Sequence, residues 1–436
     1  MKTKVFTLFC FTLIAVVNPL SWIHFFDKDG YLGLSNVILI IIFDILVIAF
    51  LIILISQGGI LQSLKIFSVN LMLIILGLVV CEVFFGNWFK SNSISNLWIP
   101  NNTSLMIDLK NLYPSDTQNI QVNIDKYGFR GVYKNLSNID ILTVGGSTTK
   151  QMYISDGLTW QDVLQKRFHE DKKYISIVNA GIDGQSTFGH INNFLEWFPI
   201  LPNFRPKLTL LYIGINDFYR RSGNEFDSFD TEKRIGNRAN AITHIIERKS
   251  IFAKIYRTYR GNYFTNAYGL DHDLDYSLDT STWTNRPLLN SKIYGEIMEE
   301  DLKQYKKRLE MLSSLIEKIG SKPIFITQTT RRYFIDGKDI IGENCADILD
   351  PSISTGLDYN YKGFKYNGVD FYQMLKLLND KTIEFAEENG YDVFDLSTDL
   401  QNELDIYSDY YDAYHNTPSG AEKIGDYIYI RLKDFF

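Results

Sequence analysis

Hydrophobic residues are distributed unevenly along the chain, and their spacing changes near residue 86. Three long apolar runs come first, and each has about the ~20 residues that a helix needs to cross a bilayer. They cover residues 5–26, 37–56 and 66–85. The pattern therefore predicts three transmembrane helices within residues 1–86. A polar stretch punctuated by Asn, Ser and Pro follows and predicts a connecting segment over residues 87–134.

After residue 135, short apolar runs rich in β-branched residues alternate with stretches of helical spacing. The five predicted strands lie at 139–146, 174–181, 207–214, 322–329 and 391–397. Predicted helices at about 299–319 and 369–389 precede the last two strands. Because a parallel return between strands needs a crossover helix, this alternation predicts an α/β domain with a doubly wound parallel sheet over residues 135–436.

A final helix is predicted near the end of the chain. Thr417 can cap its amino terminus, and Pro418 suits the first helical position. Apolar residues then recur at helical spacing, at Ala421, Ile424, Ile428 and Leu432. His415 is therefore expected in the loop that leads into this helix.

An insertion is predicted at about 220–297, because the distance between Asn216 and Asp412 exceeds what two strand–helix units need. Within it, residues 231–262 carry eight Lys or Arg and two Glu. The apolar residues of this stretch fall roughly on one helical face, at Ile245, Phe252, Ile255 and Tyr259. Two interpretations stay open: a helix that lies on an anionic membrane surface or gates the site, and a solvated helix packed by one apolar stripe.

Composition narrows the functional class. The chain is 45% hydrophobic with a formal net charge of −7, which indicates neither disorder nor nucleic-acid binding. Of the three cysteines, Cys10 and Cys81 lie in apolar runs and Cys345 stands alone. No disulfide framework and no Cys/His metal spacing is present.

Charged residues beside the apolar runs predict how the three helices are oriented across the membrane. Lys2, Lys4 and Lys65 are expected on the cytoplasmic side, where lysines near helix ends are favoured. Three crossings then place residue 87 onward on the extracytoplasmic side. A cleaved signal peptide is the alternative for the first run, but no small-x-small cleavage site follows it. Asp44 and Glu82, inside or near the runs, are expected to make packing contacts rather than to line a transport path.

Polar motifs follow the first three predicted strands, where the carboxyl ends of parallel strands meet at one edge of a sheet. They place Ser147 in "GGSTT", Gly184 in "NAGIDGQST" and Asn216 in "GINDF". The Gly184 backbone N–H and the Asn216 side chain can both donate to an oxyanion. Taken singly, each residue also has an ordinary structural interpretation as a cap, a strand end or a loop residue. Their occurrence after three successive strands favours a site.

A serine hydroxyl is a weak nucleophile until a base removes its proton, and the usual base is a histidine held by a carboxylate. Of the six histidines, only His415 has a suitably spaced carboxylate, Asp412, three residues before it. A tight turn would let Asp412 accept the Nδ1–H of His415 and leave Nε2 facing the serine. Alone, the pair is also typical of a surface loop or of half a metal site.

In their order along the chain, "GGST", "AGIDGQS", "GIND" and "DAYH" resemble the four blocks of the SGNH (GDSL-like) hydrolases. The resemblance covers about 125–436. It includes "NIDKYGFRG" at 123–131, which looks like the segment before the first strand in membrane-anchored members. Gly146 stands where the name-giving motif has Asp, a position that is not catalytic. This difference weakens any transfer of substrate range from the Asp-containing lipases.

The resemblance implies a flavodoxin-like sheet and a set of roles. Ser147 would be the nucleophile, His415 the general base and then acid, and Asp412 the orienting carboxylate. The oxyanion hole would comprise the Ser147 and Gly184 backbone N–H groups and the Asn216 side chain. Neither metal nor cofactor is implied.

Together these features predict a multi-pass membrane protein with a serine esterase domain on the extracytoplasmic side. We expect it to remove an O-acyl group, acetyl in the simplest case, from a cell-envelope carbohydrate. The expected partners are this ester substrate and the lipid bilayer, with no nucleic acid. One alternative is an O-acyltransferase that uses the same triad and a membrane partner of envelope biosynthesis as acyl donor. Another is a non-catalytic envelope assembly or binding protein.

Overall fold

The computed structural model describes residues 60–89, 94, 97, 99–109, 112–113, 119–218, 249–253, 255–256, 283–344 and 360–436. The predicted spans 5–26 and 37–56, Asp44, and most of the predicted insertion lie outside these residues. The chain forms two compact units, Met1–Trp88 and Phe89–Phe436. The finer division at 86/87 and 134/135 stays a prediction.

The helices of the described residues include α1 (Ile60–Phe85), α2 (Ser147–Lys150), α3 (Trp160–Glu170), α4 (Thr187–Asn192), α5 (Ile215–Phe218), α6 (Ile293–Lys318), α7 (Gly368–Glu388), α8 (Leu396–Asp399) and α9 (Pro418–Leu432). The strands include β1 (Thr103–Asp108), β2 (Asn119–Ile124), β3 (Ile141–Gly145), β4 (Ile177–Asn179), β5 (Leu208–Tyr212), β6 (Trp283–Thr284), β7 (Lys322–Ile326), β8 (Tyr333–Asp336), β9 (Asp339–Glu343), β10 (Asn360–Tyr361), β11 (Phe364–Lys365) and β12 (Asp392–Phe394).

In the first unit, α1 contains the third predicted span, 66–85. Several of its large apolar side chains are exposed, including Met72, Leu73, Ile74 and Phe84. Glu82 accepts a hydrogen bond from the Trp88 indole N–H at 2.8 Å. Over the residues described above, no helix has the combined length and hydropathy that a bilayer crossing requires.

The second unit is built on a five-stranded sheet in the order β12-β7-β5-β3-β4, with every neighbouring pair parallel. Each predicted strand contains one strand of this sheet, so the predicted parallel α/β architecture is confirmed. Numbered along the chain, the order is 2-1-3-4-5, which is the flavodoxin-like order. Its switch point lies between β3 and β5, where the strand order reverses.

Helices cover both faces of the sheet. On one face α3 and α9 share a hydrophobic core with alternate residues of the strands, such as Leu210. On the other face α6 and α7 pack against the intervening residues, such as Leu211. Successive side chains of a strand point to opposite faces, so strands that are apolar throughout must be buried on both.

Local sequence sets the starts of the long helices. Thr159 and Asp162 form a reciprocal capping box at α3, and Asn367 and Asp370 form another at α7. At α9 the Thr417 side chain accepts the Gly420 N–H, and Pro418 occupies the first turn. The predicted start of the last helix is confirmed.

Smaller elements surround the parallel sheet. The antiparallel hairpin β1–β2 belongs to the connecting segment, and β6, β9 and β8 form a three-stranded antiparallel sheet. The helices α2, α4 and α5 start within eight residues of the ends of β3, β4 and β5. Loops that follow the carboxyl ends of parallel strands meet at one edge. The predicted polar motifs therefore lie together there.

Candidate active site

Ser147 is the first residue of α2 and follows β3 through two glycines. The second glycine, Gly146, allows a close approach, since a Cβ there would lie 2.3 Å from Asn216 Nδ2. Real Cβ atoms do not come this near to another heavy atom. A side chain at this position would therefore require the Asn216 amide to shift.

The structure brings the predicted triad together. His415 Nε2 lies 2.7 Å from Ser147 Oγ, although the two residues are 268 positions apart. On the other side of the ring, His415 Nδ1 lies 2.6 Å from Asp412 Oδ2. The second oxygen of Asp412 accepts the backbone N–H groups of Tyr414 and His415 at 2.8 and 2.7 Å. The three side chains thus have the arrangement of a serine hydrolase triad, with the carboxylate fixed by its own loop.

The His415 ring is held by an aromatic neighbour. The Tyr411 ring stacks on it, with 5.5 Å between centroids and 13° between planes. Behind Tyr411 lie Tyr113 and Tyr153, at 5.9 and 6.0 Å. The Tyr113 hydroxyl also donates to the Tyr153 carbonyl at 2.5 Å. The connecting segment, through Tyr113, therefore supports the imidazole from behind.

Electrostatics around His415 oppose each other. Burial lowers the pKa of the imidazole, but the charge and hydrogen bond of Asp412, with a further contribution from the Asp183 charge, raise it. The net result is a pKa above the ordinary value of 6.5. A nearby carboxylate favours the imidazolium that a general base becomes after taking a proton.

The predicted oxyanion donors lie in the turns that follow β3, β4 and β5. The Ser147 N–H opens a helical turn and has no intrahelical acceptor. Gly184 has a left-handed φ of +70° in the turn after β4. Asn216, in the first turn of α5, donates one Nδ2 proton to the Gln185 carbonyl at 2.9 Å. A side-chain amide carries two such protons, so one remains for a substrate oxygen beside Gly146.

A buried network fixes the Asn216 turn. Asp217 accepts the Thr187 hydroxyl at 2.5 Å and the Thr187 N–H at 3.0 Å. Arg308, on α6, donates to Asp217 at 3.1 Å and to the Thr187 hydroxyl at 2.6 Å. The side chain of Asp217 is 1% exposed. This network joins α4, α5 and α6, and so holds Asn216 against the loop of Gly184.

A second network holds the nucleophile turn, and it comes from the "NIDKYGFRG" segment. Arg130 is buried and donates through Nη1 to the carbonyls of Lys150 and Gln151 at 3.1 and 2.8 Å. Its Nη2 donates to the Ile154 carbonyl, and its Nε pairs with Asp156 at 2.6 Å. A guanidinium therefore caps the carboxyl end of α2, the helix that begins with Ser147.

Of these supporting residues, only Arg130 lies in a segment that the sequence singled out, "NIDKYGFRG". Tyr411 and Tyr113 are two of 27 tyrosines, and Arg308 stands in an ordinary amphipathic helix. The basic stretch 231–262 lies mostly outside the described residues, but Phe252 and Ile255 within it are partly exposed. In the part of the chain that the structure describes, no cluster of His, Cys, Asp or Glu has the composition of a metal site.

No protein-family model matches the chain, and no curated protein matches it. Among solved structures, it is similar to a member of the lipolytic G-D-S-L family from Veillonella parvula, with 13% identity and a TM-score of 0.35 over 67% of this chain and 97% of the other. An acetylxylan esterase from Geobacillus stearothermophilus matches with 13% identity and a TM-score of 0.36 over 69% and 95%. The function proposed below therefore rests on the geometry of the site.

Proposed function

We propose that this protein is a serine esterase of the SGNH type. What supports this most is the pair of distances around His415, 2.7 Å to Ser147 Oγ and 2.6 Å to Asp412 Oδ2. A histidine in this position can take the serine proton as the serine oxygen attacks an ester carbonyl, while its other nitrogen is held by a carboxylate. The oxyanion donors around Ser147 add the second requirement of acyl transfer.

In the acylation step, His415 Nε2 accepts the proton of Ser147 as Oγ attacks the ester carbonyl. The carbonyl oxygen becomes an oxyanion and accepts hydrogen bonds from the backbone N–H groups of Ser147 and Gly184 and from Asn216. Asp412 stabilises the imidazolium. The intermediate collapses to an acyl-serine, and the leaving alcohol takes the proton from His415.

Deacylation repeats the same steps with water. His415 accepts a proton from the water molecule, whose oxygen attacks the acyl carbonyl, and the second tetrahedral intermediate uses the same donors. Collapse releases the carboxylic acid and returns the proton to Ser147 Oγ. No step requires a redox partner, and the protein ends in its starting state.

We further propose an O-acetylated carbohydrate of the cell envelope as substrate, and a membrane tether formed by the first two apolar runs. The acyl group and the glycan follow from the family resemblance and from the predicted location. For the tether, the support is the sequence of the apolar runs 5–26 and 37–56 and the lysines beside them.

A labelling experiment tests the chemistry. Full-length protein in membranes is treated with a fluorophosphonate probe, which forms a bond only with an activated serine. We expect labelling that is absent in Ser147→Ala and strongly reduced in His415→Asn, while Ser137→Ala, at an exposed serine in the turn before β3, is labelled normally. A folded wild-type protein that takes up no probe would contradict the esterase and favour a binding protein.

A second measurement tests the substrate. Acetate release from an O-acetylated glycan is followed with and without an excess of unacetylated glycan as acceptor. We expect release into water at a rate that the acceptor leaves unchanged. If acetyl groups instead appear on the acceptor, the protein is an acyltransferase. Recovery of the protein in the aqueous fraction after membranes are sedimented would contradict the tether.

A further inference from the structure

An ion pair links the nucleophile turn to the loop of the oxyanion hole. Lys150 Nζ lies 2.8 Å from Asp183 Oδ2. Lys150 is the last residue of α2, which begins with Ser147, and Asp183 immediately precedes Gly184. The Lys150 side chain is 13% exposed and that of Asp183 is 45% exposed. Asp183 lies within the motif "NAGIDGQST" and Lys150 directly follows "GGSTT", but the sequence assigned neither residue a role.

The backbone of residues 179–185, which we call the oxyanion loop, lies along the nucleophile turn. A Cβ at Gly181 would be 2.4 Å from the Lys150 nitrogen, so the two backbones are in contact there. The Asn179 side chain donates to the Thr149 carbonyl at 2.7 Å, and the Ile182 N–H donates to Gly145 at 3.1 Å. Of these contacts between the oxyanion loop and the nucleophile turn, the Lys150–Asp183 ion pair lies nearest to Gly184 in the sequence.

Asp183 also acts on the base, because its negative charge raises the pKa of His415. The other charged group that acts on the ring from its own loop is Asp412. Lys150 enters from α2 with its charge paired to Asp183, and the Arg130–Asp156 pair lies behind α2. The ring face is covered by Tyr411, whose pKa burial raises well above its ordinary value. The pKa of Tyr113, behind it, is raised to about 12, so both phenols stay neutral near neutral pH.

We propose that Lys150 and Asp183 are positioning residues of the reaction: their ion pair holds Gly184 in place, and their opposite charges add to the electrostatic field that Asp412 creates at His415. The inference rests on the proposed esterase function. Asp183 favours the imidazolium, whereas Lys150 partly cancels that effect. Removing one charge therefore differs in sign from removing the other.

Two variants are expected to change the pKa of His415 in opposite directions. In Asp183→Asn the pKa of His415 falls, because a favourable negative charge is lost. In Lys150→Met it rises, because the carboxylate is no longer balanced. We expect displacements of about 0.5 pH unit, since the pair is partly exposed and its field is screened. The double variant is expected to lie between the two single variants, and Lys150→Arg, which keeps the charge, to leave the pKa of His415 in place.

The titration is measured on full-length protein with ¹³Cε1-labelled histidine, and the His415 resonance is identified by its absence in His415→Asn. The kcat/KM for p-nitrophenyl acetate is measured in parallel against pH. The acid side of the kcat/KM profile should shift by the same amount as the pKa that the His415 resonance reports. The value of kcat should also fall about 10-fold in each single variant, because Gly184 loses the ion pair that holds it. The control variants Lys376→Met and Asp380→Asn break an exposed ion pair on α7. They should change neither quantity.

Displacements of the same sign in both single variants, or none, would overturn the inference, since a pair that only stabilises the fold has no reason to move the titration in opposite directions. The titration does not depend on turnover. Opposite displacements without Ser147-dependent esterase activity would therefore refute the proposed function and leave the electrostatic assignment standing. Esterase activity with an unchanged His415 titration would refute the electrostatic assignment and leave the proposed function standing.

Discussion

The side chain of Asn216 serves two parts of the site with one amide group. One proton holds the Gln185 carbonyl at 2.9 Å, and the same nitrogen lies against the backbone at Gly146, next to Ser147. The first contact fixes the direction of the second proton. Since a donor held in advance needs no reorganisation when charge develops on a substrate oxygen, it stabilises the transition state more than the ground state.

The Asn216→Ala variant is therefore expected to lower kcat by about 10²–10³-fold, which corresponds to ~2.7–4 kcal/mol of lost transition-state stabilisation. KM should change much less, because the ester carbonyl of the ground state needs the donor less. Steady-state kinetics with p-nitrophenyl acetate separate the two constants. Asn138→Ala, in an exposed turn after the connecting segment, is the matched control. A loss that appears only in KM would contradict the assigned role.

Among single residues, the sequence predicted those that stand in short motifs and whose side chains have a well-defined chemical role. Ser147, Asp412 and His415 stand in short motifs, and their chemical types restrict what they can do together. Tyr411 could not be predicted, because stacking on an imidazole requires only a flat ring and leaves no spacing signal. The same holds for Asp183 and Lys150, which meet only after β3 and β4 have paired.

Among the elements, α2 depends most on its surroundings. It has four residues, far fewer than a helix needs to be stable alone. Arg130 supplies bonds to the carbonyls at its carboxyl end, where a cation is favoured by the helix dipole. The hydroxyl of Ser147, at the other end of this turn, is placed by the same bonds.

The Arg130→Met variant is expected to reduce kcat by about 10-fold or more, because the nucleophile turn loses its cap and Ser147 drifts from His415. It should also lower the free energy of unfolding by ~1–3 kcal/mol, since buried carbonyls lose their donors. Arg130→Lys should rescue little, because an ammonium cannot reach the same carbonyls as the planar guanidinium.

The control is Arg167→Met, which breaks the bonds between α3 and Asp426 on α9 at a distance from the triad. It should lower the thermal midpoint while kcat is retained. Kinetics and thermal unfolding are measured on the same preparations. Equal kcat in Arg130→Met and wild type would show that α2 needs no such cap.

Elements with a long, regular period were predicted, and elements without one were not. The central strands and the helices α6 and α7 follow from alternation and helical spacing, although α6 begins at Ile293 rather than near 299. The edge strand β4 is only Ile177–Asn179, shorter than its apolar run, and among the described residues its outer side pairs through the single bridge between Asn179 and Arg130. Strands β8 and β9, which pair locally across Gly337 and Lys338, were not predicted, and β6 has only two residues and pairs with β9 from far along the chain.

For the whole molecule, two groups with displaced pKa values set opposite limits on stability. Burial raises the pKa of Asp395, at the end of β12, but hydrogen bonds from Thr398, Ser397 and Thr327 outweigh it and the pKa is lowered. Thr327 follows β7, and its hydroxyl donates to Asp395 at 2.8 Å, so this bond joins two neighbouring strands. The pKa of His415 is raised, and its ring links the loop before α9 to the turn between β3 and α2.

The signs follow from linkage between protonation and folding. A lowered carboxyl pKa contributes stability that is present above the unfolded value of about 3.9 and is lost as pH falls through the folded value. A raised histidine pKa contributes stability that is complete below the unfolded value of about 6.5 and is lost as pH rises through the folded value. Both contributions are complete only between about pH 4 and 6.5.

We therefore expect the thermal midpoint of the wild-type protein to fall as pH rises from about 6.5 to 8.5, the same range in which esterase activity rises because His415 becomes neutral. The catalytic form is the less stable one, since the neutral imidazole loses part of its attraction to Asp412. His415→Asn should flatten this decline, whereas His169→Asn, at the end of α3, should keep it. Asp395→Asn should instead reduce the loss of stability below pH 4. Thermal unfolding of full-length protein at a series of pH values measures all four, and a decline in His415→Asn as steep as in the wild type would mean that the alkaline limit is set by another group.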